Sequence, residues 1–284
     1  MRVAALAIAL CLATPAQAKP PVWVVRDADS TIVLFGSIHA LPPGLDWAPP
    51  ALTAALARAE DVWFEIPNDE AGQLASAQAA TQKGLLPRGV TLTSRLDRRT
   101  AGQLARVAKS LGMRPTDLDP YRPWMAEVTL VVAAAAKAGA STSASVETQV
   151  AAATPRAARR RAFETPEQQV GLLADVSERE QIASLKETLK EIEEEPDSFA
   201  ELVRLWMAAD VQGIYRDAVA PLRRASPALY RRILADRNRA WAPVIEERLK
   251  GSGETVMVMG AAHFVGPDGL PALLRKRGLR VDGP

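Results

Sequence analysis

The residues best suited to chemistry are two histidines, the only ones in the 284-residue chain. His39 and His263 each follow an apolar, strand-like run, and glycine stands three residues before each of them. Glycine fills only 17 positions, so composition alone does not explain why Gly-x-x-His occurs twice. Histidine titrates near neutral pH and is a common metal ligand. The repeated motif therefore predicts one site built from two distant parts of the chain.

Two glutamates extend the candidate site. Glu65 and Glu164 each stand near the end of a short strand-like run, as the histidines do. Two histidines and a carboxylate with an open position form a workable hydrolytic metal site, in which the metal lowers the pKa of its bound water. A second carboxylate would serve as general base. The alternative is that these side chains only cap strand ends or form salt bridges.

Arg237 and Asn238 lie side by side before the last apolar run. An arginine and an amide together suit a substrate carboxylate or an oxyanion, and the alternative is an ordinary helix surface.

Ser37 beside His39 is a candidate nucleophile. The chain has no Gly-x-Ser-x-Gly turn, so we do not favour it.

The elements that must position these residues follow from apolar patterning. Apolar runs rich in β-branched residues predict strands at 22–25 and 31–35, which form a hairpin. Further short strands are predicted at 61–67, 160–164, 255–259 and 279–282. Helical spacing predicts helices at 50–59, 70–83, 98–111, 124–138 and 269–276, and another that ends at about residue 153. A loop is predicted at 115–123. Residues 166–250 are predicted to be helical, with interruptions near Pro196, Pro221 and Pro227, because proline lacks an N–H.

The predicted fold class is α/β. We expect a central mixed, largely buried sheet built from both ends of the chain, with a long helical insert, because the strands lack polar alternation. Ligands of such sheets collect beyond the carboxyl ends of the strands. The predicted division is a signal peptide at 1–18 and a single domain at 19–284. Within that domain we expect a first sheet half at 19–120, an insert at 121–250 with one short strand near 160–164, and a second sheet half at 251–284.

The first 18 residues predict a secretory signal peptide. A basic start, an apolar run of about ten residues and an Ala-x-Ala exit are typical of one, and cleavage near Ala18 would make the protein periplasmic or secreted. Cys11, the only cysteine, lies in this segment, so the mature chain is predicted to form no disulfide.

The remaining composition narrows the choice of partners. The formal charge is +2 and aromatic residues make up 5% of the chain, which does not favour a nucleic-acid partner. No segment of the mature chain is apolar over the length that a transmembrane helix needs. We therefore expect a peptide or a small molecule as substrate, and the sequence does not indicate an oligomeric state.

The order of the motifs resembles that of the TraB/GumN family, also called TraB/PrgY/GumN, to which the TIKI metalloproteases are related. The resemblance rests on five motifs over nearly the whole mature chain: Gly36–His39, Val62–Glu65, Phe163–Thr165 with Gln168 or Gln169, Arg237–Asn238 with Trp241, and Gly260–His263 with Gly266. It implies the fold of erythromycin esterases and of haem-binding ChaN-like lipoproteins. Two small departures are Phe264, where leucine is common, and the segment around Glu147, which lacks the aspartate often seen there.

The resemblance also implies roles for residues. His39, His263 and Glu65 match the proposed metal or catalytic residues of the family, while Glu164 and the Arg237–Asn238 pair match further motifs. The implied metal is manganese or cobalt, and zinc suits the same donors.

The predicted function is an exported, metal-dependent, peptidase-like hydrolase. His39, His263 and Glu65 would hold the metal, Glu65 or Glu164 would act as base, and Arg237 and Asn238 would orient the substrate. The alternative is a protein of the same fold that binds haem, a metal or another ligand without turnover, with a link to polysaccharide export.

Overall fold

The computed structural model describes residues 18–284, so the predicted signal peptide lies outside the described residues except for Ala18. In the described part of the chain no helix has the length and hydrophobicity needed to cross a membrane.

The sheet has six strands drawn from both ends of the chain and from the insert. They are β1 (Val22–Arg26), β2 (Ser30–Ser37), β3 (Asp61–Phe64), β4 (Arg159–Ala162), β5 (Gly253–Gly260) and β6 (Val281–Asp282). Their order is β4-β3-β5-β2-β1-β6. The first four in that order run parallel, and β1 pairs antiparallel with both β2 and β6. The predicted α/β class with a mixed sheet from both chain ends is confirmed.

Both faces of the sheet are covered, as the apolar strands predict. Val33 and Phe35 of β2 pack into one core, whereas Ile32 and Leu34 of the same strand pack into another on the opposite face. Residues 32–35 of the strand are therefore all apolar, because each face meets helices.

The helices surround this sheet and form the insert. They are α1 (Pro50–Arg58), α2 (Glu70–Gly84), α3 (Leu92–Arg95), α4 (Arg98–Ser110), α5 (Pro123–Lys137), α6 (Val146–Ala153), α7 (Pro166–Ala174), α8 (Glu178–Glu194), α9 (Ser198–Met207), α10 (Val211–Ile214), α11 (Ala220–Ala225), α12 (Pro227–Tyr230), α13 (Asp236–Leu249) and α14 (Leu270–Lys276). Short 3₁₀ turns lie at Pro115–Leu118, Thr142–Ala144 and Ala261–Phe264, and π-helical turns lie at Tyr215–Val219 and Arg231–Ala235. A separate core joins α4 to helices of the insert, with Leu104 packed against Leu130 of α5 and Leu185 of α8.

Local sequence sets several helix starts. Ser177 caps α8 and Thr165 caps α7, each through a reciprocal bond with the side chain three residues later. The chain leaves the helical conformation between α7 and α8, just before the Ser177 cap, and the positions of the prolines do not predict this break. A second such break follows α9, where Ala209 takes a positive φ of 55° before Asp210 caps α10.

The predicted interruption at Pro221 is wrong. Helical structure runs from α10 through the π turn Tyr215–Val219 into α11, and Pro221 lies in the first turn of α11. The Ala220 N–H bonds to the Tyr215 carbonyl across the π turn, so the helical run continues up to the proline and lacks only the one N–H that proline cannot donate. The interruptions at Pro196 and Pro227 are confirmed. The division into a single domain stays a prediction.

At the amino ends of the parallel strands, Asp61 of β3 is buried among three arginines. Its carboxylate accepts hydrogen bonds from Arg159, Arg161 and Arg248 at 2.7 to 3.1 Å, and its side chain is 1% exposed. The hydrogen bonds from Arg159 and Arg161, followed by the charges of Arg159 and Arg248, hold the pKa of Asp61 well below its usual range despite burial. The cluster ties edge strand β4 to β3 and to α13.

We expect Asp61→Asn to lower the free energy of unfolding at pH 7 by about 3 kcal/mol, because it leaves a partly buried arginine without its counter-charge. The pKa of Asp61 is lower in the folded protein, so its contribution is present above the unfolded-state pKa near 4 and is lost as pH falls. Urea unfolding between pH 7 and pH 3 measures both effects. The wild-type curve should fall more steeply with acid than that of Asp61→Asn, and exposed Asp29→Asn should follow wild type. Parallel curves for all three proteins would contradict the assignment.

Candidate active site

Four parallel strands deliver the candidate residues to one edge of the sheet. Strands β4, β3, β5 and β2 lie side by side, and Glu164, Glu65, His263 and His39 follow them in that order. Because the carboxyl ends of parallel strands meet at the same edge, residues more than 200 positions apart become neighbours. The structure thus brings together all four side chains that the motifs single out.

Arg237 lies at the centre of this group. Its guanidinium donates from Nε and Nη2 to the two oxygens of Glu164 at 2.8 and 2.9 Å, and from Nη2 to Glu65 Oε2 at 2.6 Å. Nη1 donates to the carbonyl of Ile233 and lies 3.0 Å from His263 Nε2. The guanidinium carbon also stacks 4.5 Å from the centre of the Trp241 ring, one helical turn along α13.

Asn238 fixes the orientation and tautomer of His263. The side-chain amide donates to the carbonyls of His263 and Asp268 at 3.2 and 2.8 Å, so its Oδ1 faces His263 Nδ1 at 2.6 Å. Nδ1 must then carry the proton, and Nε2 keeps the lone pair that accepts from Arg237. Burial lowers the pKa of His263 to about 3, which keeps the imidazole neutral.

Glu65 is the buried anion of the site. Its Oε2 also accepts from Gln169 at 2.9 Å, and its Oε1 accepts from the backbone N–H of Gly260 at 2.7 Å. Burial alone would raise the pKa of Glu65, but the charges of Arg237 and His39 and the Gly260 N–H outweigh it and lower the pKa to about 2. Glu65 is therefore ionised at neutral pH.

His39 is the exposed member of the group. Its side chain is 71% exposed, and Nδ1 lies 2.8 Å from Glu147 Oε1, which also accepts from Ser37 Oγ. The charge of Glu147 is the main cause that raises the pKa of His39, to about 9. With Nδ1 held by Glu147, Nε2 is the ring nitrogen left for a ligand. This carboxylate–imidazole pair is the part of the site that solvent reaches.

The space between His39 and Glu65 exists because residue 260 is glycine. A Cβ built on Gly260 would lie 3.3 Å from Glu65 Oε1, 3.6 Å from His39 Nε2 and 3.8 Å from the His263 ring. Three polar side chains therefore converge on the point where any other residue would place its side chain. A water molecule at this point would be within reach of both a carboxylate oxygen and an imidazole nitrogen.

Arg237 and Asn238 contact protein groups in the structure, and their role in orienting a substrate stays a prediction. Both were expected to orient a substrate, yet their polar atoms face protein groups, and Asn238 is 2% exposed. The pair belongs to α13, which packs against the strand edge, so its side chains point inward rather than toward an incoming ligand. In the structure they position His263, Glu65 and Glu164.

Glu147 is the functional candidate that the sequence analysis missed. It was noted only as a departure from the family pattern, whereas the structure places it against His39 and Ser37. Gln169, named there as one of two matching glutamines, is the one that reaches Glu65. A signal for Glu147 existed in the hydroxyl-rich turn before it, because Ser145 caps α6 and sets the direction of its first turn.

Imidazole nitrogens and carboxylate oxygens are suitable ligands for a divalent metal, but here the lone pairs of two of these groups point at the guanidinium of Arg237. His263 Nε2 and Glu65 Oε2 both face the guanidinium of Arg237. In the described residues 18–284 no three His, Cys, Asp or Glu side chains are arranged to hold a metal ion. The residues as arranged do not fit the metal, and its manganese, cobalt or zinc identity stays a prediction.

Comparison with known protein families identifies a match over nearly the whole chain. The model of the TraB/PrgY/gumN family matches residues 21–283. Neither the curated proteins nor the solved structures contain a match to this chain.

Proposed function

The chain belongs to the TraB/PrgY/gumN family, and from that membership and the site geometry we propose that it is an exported hydrolase of amide or ester substrates. The observation that carries the proposal is the convergence of His39 Nε2 and Glu65 Oε1 on the open face of Gly260. A base within hydrogen-bond reach of a small space that can hold water is what general-base activation of a water molecule requires. A peptide-like amide is our first choice of substrate, and the predicted export would make it periplasmic or extracellular.

In the proposed reaction, a water molecule binds against Gly260 and attacks the substrate carbonyl. His39 acts in its neutral form, whose share rises as pH approaches its raised pKa of about 9. In that form Nε2 accepts the proton as the new C–O bond forms, and it returns this proton to the leaving nitrogen or oxygen as the old bond breaks. Glu147 holds the ring and stabilises the imidazolium that forms, because it lies 2.8 Å from Nδ1. Ionised Glu65 adds negative charge on the other side of the same space.

The metal dependence predicted from the sequence has no step in this reaction. The groups that were expected to bind the ion are His39, His263 and Glu65, and the last two are engaged by Arg237. The proposal therefore needs only side chains of this protein, and a stimulation of activity by added manganese, cobalt or zinc would revise it.

Gly260→Ala tests the proposal directly. Gly260 has φ −51° and ψ 139°, which alanine adopts without strain, so we expect the variant to fold normally. Its methyl group would fill the space between His39 and Glu65, and we expect kcat/KM to fall at least about 100-fold, as for loss of acid–base catalysis. The assay uses residues 19–284 on a panel of chromogenic esters and peptide amides.

Gly102→Ala is the matched control. Gly102 lies on the surface of α4, where a methyl group meets only the end of Arg106 at 3.9 Å, so activity should remain at the wild-type level. Full activity of Gly260→Ala would contradict the placement of the water. Absence of turnover by the wild type, together with a shifted absorption spectrum on haem titration, would favour the binding-protein alternative instead.

A further inference from the structure

The guanidinium of Arg237 is hydrogen-bonded at all of its N–H groups. Arginine carries five such donors, and here they meet both oxygens of Glu164, Glu65 Oε2, the Ile233 carbonyl and His263 Nε2. The side chain is only 10% exposed. The guanidinium is therefore fully occupied inside the protein and has no free donor for a substrate.

The acceptors of this guanidinium are the groups that a metal ion would need. A zinc-like ion binds imidazole nitrogen and carboxylate oxygen at about 2.0–2.2 Å through the same lone pairs. Those of His263 Nε2 and Glu65 Oε2 instead accept N–H donors at 3.0 and 2.6 Å. A divalent cation brought between them would also be repelled by the guanidinium charge.

Two further contacts keep the arginine in this position. The Ile233 carbonyl belongs to the π turn Arg231–Ala235, which leads directly into α13, and it accepts from Nη1 at 3.0 Å. The Trp241 ring covers the guanidinium at 4.5 Å and itself lies 4.6 Å from the His263 ring. Rotation of Arg237 out of the site would break these contacts as well as three charged hydrogen bonds.

We propose that Arg237 is the built-in cation of this site, and that it holds Glu65, Glu164 and His263 in the place where a metal ion would otherwise bind. Arg237 is then a positioning residue, because it touches the reactive side chains and not the substrate. The proposal does not depend on hydrolase activity, since it concerns which cation the acidic and imidazole groups share. It differs from the metal centre expected from the family resemblance.

The test is metal binding, measured without substrate on residues 19–284 after removal of any affinity tag. Wild type purified without chelator should contain much less than one equivalent of manganese, cobalt or zinc. Added Co²⁺ should give no visible ligand-field band and should not change the ¹⁵N resonances of His263. The spectra are simple to assign because the protein has two histidines.

Arg237→Ala should convert the cluster into a metal site. Removal of the guanidinium frees His263 Nε2, Glu65 and Glu164, and we expect about one Co²⁺ per chain, a visible band and a higher Tm in the presence of the metal. Arg239→Ala is the matched control, because Arg239 lies on the same helix but pairs with Asp236 on the surface. This control should gain no metal.

The outcomes separate clearly. One tightly bound metal per wild-type chain that is lost in His263→Ala would overturn the proposal, and so would a folded Arg237→Ala protein that binds no Co²⁺. Should Arg237→Ala fail to fold, Arg237→Lys is the second variant, which keeps the charge but has fewer donors. We expect it to remain metal-free with a lower Tm, and stoichiometric Co²⁺ in it would contradict the idea. None of these measurements depends on whether the protein hydrolyses anything.

Discussion

His39→Gln is expected to lower kcat/KM by about 100- to 10,000-fold, the range for losing a positioned acid–base group. Glutamine keeps an N–H donor for Glu147 but has no basic nitrogen to accept a proton from water. Because His39 is 71% exposed, we expect the free energy of unfolding to change by about 1 kcal/mol or less. Kinetics on the best substrate of the panel, with urea unfolding in parallel, separate lost chemistry from lost folding.

Asp46→Asn provides the control for this experiment. Asp46 lies in the same loop after β2, and its side chain is 79% exposed and pairs with Lys19. This substitution should leave both rate and stability near the wild-type values. An active His39→Gln protein would exclude the imidazole as the base, and attention would then move to Glu65.

Glu65→Gln is expected to have the largest effect on stability of the site variants. The two oxygens of Glu65 receive N–H donors from Gly260, Gln169 and Arg237. A glutamine offers one oxygen, so its NH₂ group must face at least one of these donors, and Arg237 loses a buried counter-charge. We expect a loss of about 3–5 kcal/mol in the free energy of unfolding, together with loss of hydrolysis.

Urea unfolding at pH 7 measures this loss as a shift of the midpoint with an unchanged slope. Glu167→Gln makes the same chemical change on the exposed first turn of α7 and should shift the midpoint very little. A Glu65→Gln protein as stable as wild type would show that the Glu65–Arg237 pair does not hold the strand ends together. The proposal for Arg237 as the built-in cation would then lose its main support.

Much of the fold could be predicted because strands and helices depend on local patterns. The run 31–35 is apolar at every position but Thr31, and the structure buries it on both faces between helices. The order of the apolar runs along the chain was enough to predict one sheet built from strands at both ends of the chain, with polar residues following the strands. The breaks after α7 and α9 were not predicted, because Ser177 and Ala209 act through caps and backbone conformation rather than through proline.

The candidate site shows where local patterns stop being informative. The sequence by itself determined that His39, Glu65, Glu164 and His263 stand at the exits of strands, because each follows its strand within a few residues. Only the tertiary structure decided what these groups contact. Arg237 is 172 residues from Glu65, and Glu147 is 110 residues from Ser37. Their positions depend on how α13 and α6 pack across the sheet edge, which no spacing along the chain encodes.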